Sequence, residues 1–284
     1  MKAWKALALG FAFMAATTGG AWAQGKQWTK VRIATEGAYA PWNFTAPGGK
    51  LDGFEVDLAN ELCGRMKVQC EVVAQDWDGI IPALNASKYD AIMAGMNITD
   101  KRMEVINFTR PYAGGPHGWG VLKTGPLGQL AGTGERYSLA TQGDQAKKVI
   151  DTWRQQLKGK TIGVQVATTN GAFVEKYFKD VATIREYKTT EQHDLDLISQ
   201  RVDAIFAAHS ALYATMKNAQ FKDMTIAGAG VSGDVLGRGV AVGLRKGDPE
   251  LRELFDKAIV GAIEDGTLKK LSMKWFELDM TPAQ

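Results

Sequence analysis

Two glycine-rich passages constrain this chain more than any other feature, because each interrupts a regular alternation of strand-like and helix-like segments. The first, 108–120, contains Thr109-Arg110-Pro111-Tyr112-Ala113-Gly114-Gly115-Pro116-His117-Gly118; the second runs from 228 to 239. Around them, short apolar runs bounded by turn residues alternate with segments whose apolar residues recur every three or four positions. Such alternation specifies an α/β fold with crossover connections. The length, 284 residues, also exceeds what one hydrophobic core usually serves. The chain therefore reads as two α/β lobes. One is discontinuous, 24–113 plus 237–284, and the other, 114–236, is inserted with its hinge segments. Two linkers between two lobes imply a cleft and hinge motion.

In the first lobe, 31–34 and 69–73 read as strands. Between them 54–66 carries Leu58, Leu62 and Met66 at helical spacing. The segment 77–84 is compatible with a helix because Pro82 can sit in its first turn, and a helix is expected from 100 through Ile106. In the second lobe, strands are expected at 119–122, 158–164, 183–187 and 202–207. Helices are expected at 145–157, after Asn170 through Phe178, at 191–199 and at 210–218. The stretch 124–144 reads as an irregular surface loop. A final strand at 240–244 precedes helices opened by Asp248-Pro249 and, after Asp265-Gly266-Thr267, at 268–276.

The first 23 residues carry Lys2 and Lys5, an apolar run from 6 to 16, and Ala21-Trp22-Ala23. That is the pattern of a secretory signal, with an apolar stretch too short to span a bilayer. Its removal takes two of the 34 basic residues against 31 acids and leaves a net charge of +1. Near-neutrality without a basic block argues against a nucleic-acid surface. No other stretch approaches about 18 consecutive apolar residues, so a soluble, exported chain is expected. The two cysteines, Cys63 and Cys70, have no His or further Cys nearby, which in an exported protein favours a disulfide over a metal pair. No GxxxxGK[ST] nucleotide motif is present. No metal and no cofactor are expected.

The segment 91–102 reads as a buried strand ending in small residues, then Asn97, then Thr99-Asp100 as a helix start with Arg102 in the first turn. Exposed amides and a guanidinium gathered at such a junction suit a carboxylate. An ordinary strand-to-helix turn with a solvated arginine has the same local pattern.

Several motifs appear together in a specific order: Tyr39-Ala40-Pro41, Gly53-Phe54-Glu55-Val56-Asp57-Leu58, Cys63 with Cys70, Asp76-Trp77-Asp78, Asp90-Ala91-Ile92, Ile98-Thr99-Asp100-Lys101-Arg102, Gly163-Val164, Val242-Gly243-Leu244-Arg245-Lys246 and Asp265-Gly266-Thr267. In these the chain resembles the periplasmic solute-binding proteins of ABC importers for polar amino acids, the lysine/arginine/ornithine and histidine type, over nearly all of its length after residue 23. It is most similar to the octopine- and nopaline-binding branch. Residues 34–44, Gly48-Gly49-Lys50-Leu51-Asp52-Gly53, Leu271-Ser272-Met273-Lys274-Trp275-Phe276 and the long stretch 124–158 carry that similarity.

The resemblance implies a type II periplasmic-binding-protein fold, two α/β lobes joined by two hinge strands, with no catalytic residues. It also implies a monomer that delivers a basic amino acid or opine to an inner-membrane permease with a separate ATPase subunit. It assigns Arg102 to the ligand's α-carboxylate, with the Asn97 amide beside it where many members have Ser. The Gly95 carbonyl would face the amino group. Thr169 would donate its N–H from across the cleft, flanked by Thr168 and Asn170. Tyr39 and Trp77 would sandwich the side-chain stem, and Glu36 would meet the distal cation. A ligand anionic at one end and cationic at the other needs these two poles on elementary grounds. Trp42 and Trp119 are read as packing residues.

One departure stands out. The family's lobe-two acid for the α-ammonium should follow the strand 202–207, where this chain has Ala208 and then His209. An α-ammonium buried without a carboxylate forgoes about 1.5–3 kcal/mol. An opine's secondary amine carries its own second carboxylate, which His209, Asn97 or His117 could meet. A dehydratase-like enzyme on the same scaffold and a sensing module for the same ligands are the alternatives.

Overall fold

The computed structural model describes residues 26–282, so the segment read as a signal peptide lies outside the described residues. Lys30–Thr35 buries Val31, Ile33, Ala34 and Thr35, the near-continuous burial of a strand covered on both faces. It pairs in parallel with Gln69–Ala74 on one side and Ala91–Ile92 on the other. The sheet is extended by Gly243–Leu244, from the far end of the chain, which runs antiparallel between Ala91–Ile92 and Asn107–Phe108. The second sheet draws all six strands from 117–232, in the order Thr183–Tyr187, Thr161–Gln165, Ala204–Ala208, His117–Leu122, Met224–Ser232 and Arg136–Ser138. The chain thus leaves the first sheet between Phe108 and His117 and returns between Ser232 and Gly243.

The two crossing segments lie side by side. Val240 bridges both Ala113 and Asn97, and Tyr112 and Ala113 donate to the Val240 carbonyl. A hairpin sheet of Ala38–Tyr39, Asn43–Thr45 and Leu51–Asp52 projects from the first lobe. Helix Phe54–Met66 packs its Leu58 and Leu62 face against this lobe's core and against helix Pro249–Glu264. It ends at left-handed Lys67, and Cys63 is disulfide-bonded to Cys70 of the next strand. Trp42 and Trp119 are both buried in the cores, as read from the sequence.

Three expectations are corrected. The stretch 124–144 is not an irregular loop: it forms a 3-10 turn at Pro126–Gln129, buries Leu127 and Leu130, and contributes Arg136–Ser138 to the sheet edge. An edge strand held by main-chain bonds needs little apolar sequence, so composition gave no sign of it. The helix after Thr99 stops at Met103 rather than 106, and Ile106 turns into the strand Asn107–Phe108. The second glycine-rich passage begins inside Met224–Ser232. Gly228, at φ +73°, sits where the strand's register shifts, and a side chain there would meet Trp119 and Trp153 at 3.1 Å.

Candidate ligand-binding cleft

The first pole of the cleft is built where Ala91–Ile92 ends. Thr99 caps the short helix Asp100–Met103, its side chain accepting the Arg102 N–H at 3.2 Å. This fixes Arg102 so that Nη1 donates to the Asn97 carbonyl at 2.8 Å and the guanidinium lies 5.2 Å from the centre of the Trp77 ring. Its Nη2 reaches across to the Ala167 carbonyl of the second lobe at 3.4 Å. Among the described residues no carboxylate lies within 4.0 Å of this guanidinium. Desolvation lowers its pKa to about 10, which still leaves it charged at neutral pH. A partly buried cation held by carbonyls alone favours an incoming anion.

Glu36 forms the opposite pole. It is buried, and its Oε1 accepts from Gln165 Nε2 of the second lobe at 2.7 Å. Burial raises its pKa to about 7, against the Gln165 hydrogen bond, with Glu55 and Asp76 adding repulsion. Tyr39 presents its ring to Gly95, where a Cβ would stand 2.7 Å from Tyr39 Cε1. Gly95 also has φ +60°, so two independent reasons exclude a side chain there.

The second lobe supplies donors. Thr168 caps helix Thr169–Phe178, accepting the Gly171 N–H at 3.0 Å and donating to the Gln165 carbonyl at 2.7 Å. The first amides of that helix, those of Thr169 and Asn170, have no partner within the helix. His117 Nδ1 lies 2.7 Å from Asn170 Oδ1, and burial pushes its pKa down to about 4. The neutral ring therefore donates Nδ1–H to Asn170. The lobes also meet behind the cleft, where Trp42 Nε1 donates to Ser210 Oγ at 3.1 Å.

Nine of the ten residues singled out from the sequence line one cavity: Glu36, Tyr39, Trp77, Gly95, Asn97, Arg102, Thr168, Thr169 and Asn170. It encloses about 360 Å³, open mouth included, and is completed by Ala94, His117 and Gln165. His209 is the exception and is corrected: it does not line the cavity. Its imidazole is wedged against Gly118 and Gly230, with Nε2 buried and unpartnered. Ala208, the departure, pairs in register with His117. Gln165 was missed. Its position, a polar residue ending a strand just before a helix start, is where α/β sheets place ligand contacts, and that signal was available.

A bilobed α/β cleft with two charged groups, Arg102 and Glu36, on the first lobe and helix amides on the second is the arrangement of a solute-binding protein. Residues 31–278 match the bacterial extracellular solute-binding proteins, family 3, and the chain belongs to that family. It is 50% identical over 270 residues to an octopine-binding periplasmic protein of Rhizobium meliloti, covering 89% of this chain and 92% of that one. An L-arginine-binding protein of Pseudomonas aeruginosa is 33% identical over 253 residues, covering 88% of this chain and 89% of its own. Among solved structures, a periplasmic His/Glu/Gln/Arg/opine family-binding protein from Silicibacter pomeroyi in complex with lysine is similar at a TM-score of 0.72 and 35% identity. That match covers 89% of this chain and all (100%) of the other. An ancestral arginine-binding protein bound to arginine reaches 0.73 at 30% identity, covering 87% and 98%.

Proposed function

We propose that this chain is the solute-binding component of an ABC importer. Its ligand would carry a carboxylate at one end and a cation at the other, an arginine-derived opine in preference to a free basic amino acid. The observation that carries this reading is the pair of charged groups, buried Glu36 and Arg102, the latter without a carboxylate partner among the described residues, in the lining of one cavity formed by both lobes. The preference for an opine rests on Ala208, which offers no acid to an α-ammonium. The 50% identity to an octopine-binding protein supports the same choice.

Ligand first meets the lobe carrying Arg102 and Glu36, and the inserted lobe closes on it through the crossing segments near Ala113 and Val240. The division into 24–113, 114–236 and 237–284 describes the moving bodies. The chain acts in the periplasm after cleavage behind Ala23, as a monomer without a cofactor, and delivers ligand to a membrane permease with its own ATPase subunit. A binding role is preferred to an enzyme because the relatives it resembles are binding proteins and His209, the candidate partner for Glu36, does not line the cavity. Turnover of a prephenate-like compound would reverse that.

A thermal-shift screen of basic amino acids, octopine and nopaline tests the reading, since a ligand at about 100 times its Kd adds about 2.7 kcal/mol. Octopine or nopaline should give the largest shift, and Arg102→Ala should abolish it. Tight binding of L-arginine with none of either opine overturns the ligand class. Affinity that survives Arg102→Ala overturns the site.

A further inference from the structure

Glu55 is a buried acid that does not line the cavity, yet it accepts hydrogen bonds from three separate parts of the binding apparatus. It is the second residue of helix Phe54–Met66 and is 1% exposed. Its Oε2 accepts from Asn43 Nδ2 at 2.6 Å. Its Oε1 accepts from the Gly95 N–H at 2.7 Å and from the Tyr112 hydroxyl. Asn43 in turn accepts the Gly37 N–H on Oδ1 at 2.8 Å, and it pairs with Tyr39 across the hairpin. The three arms therefore end at the loop bearing Glu36 and Tyr39, at the Gly95 turn of the cradle, and at Tyr112 beside the Ala113–Val240 bridge.

We propose that Glu55 is a positioning residue that joins hairpin, cradle and hinge into one unit and sets ligand affinity without touching ligand. The chain of donors has a direction. Gly37 can only donate, so Asn43 must turn its oxygen to Gly37 and its NH2 to Glu55, and position 55 must accept. Glu55→Gln places an NH2 either against the Asn43 NH2 or, turned over, against the Gly95 N–H. If Asn43 flips to relieve the first clash, its NH2 meets the Gly37 N–H instead. In each case one buried donor loses its partner, and the Glu36–Tyr39 loop or the Gly95 turn shifts. Asn43→Asp alone sets two carboxylates against each other. The double change reverses the link and repairs it. The carboxylate then accepts from Gly37 and from the new carboxamide, whose own oxygen still accepts from Gly95 and Tyr112.

The affinity part rests on the reading of the cleft as the ligand site, so the test has a ligand-free arm. Amide hydrogen exchange at Gly37 and Gly95 is followed in the apo full chain, and octopine and L-arginine affinities are measured by calorimetry. Each single variant should exchange faster at Gly37 or Gly95 and bind whichever ligand the wild type takes roughly tenfold to hundredfold more weakly. The double variant Asn43→Asp/Glu55→Gln should return to within about threefold on both measures. Tyr112→Phe should weaken binding with both amides still protected. Wild-type behaviour of Glu55→Gln, or a double variant no better than the single ones, overturns the proposal. If a single variant fails to fold by circular dichroism, a folded, binding double variant supports it and an unfolded one overturns it. A wild type that binds neither ligand overturns the reading of the cleft, and the exchange arm alone then decides the role of Glu55.

Discussion

The raised pKa of Glu36 makes ligand binding a proton-linked event. Its carboxyl moves from 4.5 to about 7 mainly because burial removes it from water, and one pKa unit corresponds to about 1.4 kcal/mol, so ionising it in the empty cleft costs about 3 kcal/mol. A cationic ligand end supplies the missing counter-charge, so ligand binds the ionised form. At pH 7 about half the sites are ready, and at pH 5 about one in a hundred. Affinity for a ligand with a distal cation should therefore fall about fiftyfold between pH 7 and pH 5. His117 and His209, both pushed down to about 4 by burial, do not titrate in that window.

Calorimetry in two buffers of different ionisation enthalpy should find about half a proton released per ligand at pH 7 and nearly one at pH 5.5. Glu36→Gln should flatten the profile and bind weakly throughout. The same shift acts on stability with the opposite lean. Because the folded pKa lies above the unfolded one, the protonated acid helps the ligand-free protein below about pH 4.5, and the contribution is lost as pH rises through 7. A wild-type affinity flat from pH 5 to 8, or a Glu36→Gln variant with the same slope, refutes the reasoning.

Gly95→Ala should bind every ligand at least tenfold more weakly by calorimetry, because a Cβ at 2.7 Å from Tyr39 Cε1 and a φ of +60° each cost on the order of 1 kcal/mol or more. Replacing Cys63 and Cys70 by Ser opens an eight-residue loop and should lower stability by about 2.5 kcal/mol, read as a drop in Tm with no change in Kd. Ala208→Asp should raise affinity for free L-arginine and lower it for octopine. Ala208 is the N-cap of helix His209–Lys217 with no side-chain cap bond, so an acid there should leave the fold's Tm unchanged or higher.

The strand–helix series and its two interruptions were legible because buried strands and amphipathic helices leave opposite periodicities in the sequence. The helix 54–66 and strand 183–187 fall where spacing put them. What spacing could not show was anything stabilised by main-chain bonds alone. The edge strand Arg136–Ser138 is one case, and the bulge that carries Met224–Ser232 through Gly228 is another. The site divided the same way. Arg102 had a local signal, a cap with a charge beside it, while the Thr168–Asn170 turn entered through the resemblance alone, and both line the cavity. His209 carried the right chemistry one residue past Ala208, but as the first residue of its helix it turns behind the strand that bears His117. Gln165 carried a local signal, a polar strand end before a helix start, but its bond to Glu36 depends on two lobes meeting, which no single stretch records.

If the ligand is the opine proposed above, charge balance rather than shape would select it. The cavity holds one fixed cation, Arg102, one acid at about 7 that stays half-protonated until a cation arrives, and a histidine kept neutral by burial. At neutral pH the empty cleft is therefore positive by roughly half a charge. A ligand with a single carboxylate and two cations would raise that excess in a desolvated space, where like charges cost most. A ligand with two carboxylates, a guanidinium and a protonated secondary amine brings no net charge, and its second carboxylate neutralises the amine from within. An opine would thus supply for itself the acid missing at Ala208. On the proposed reading, selectivity against free arginine would follow from Ala208, which offers no carboxylate to an α-ammonium.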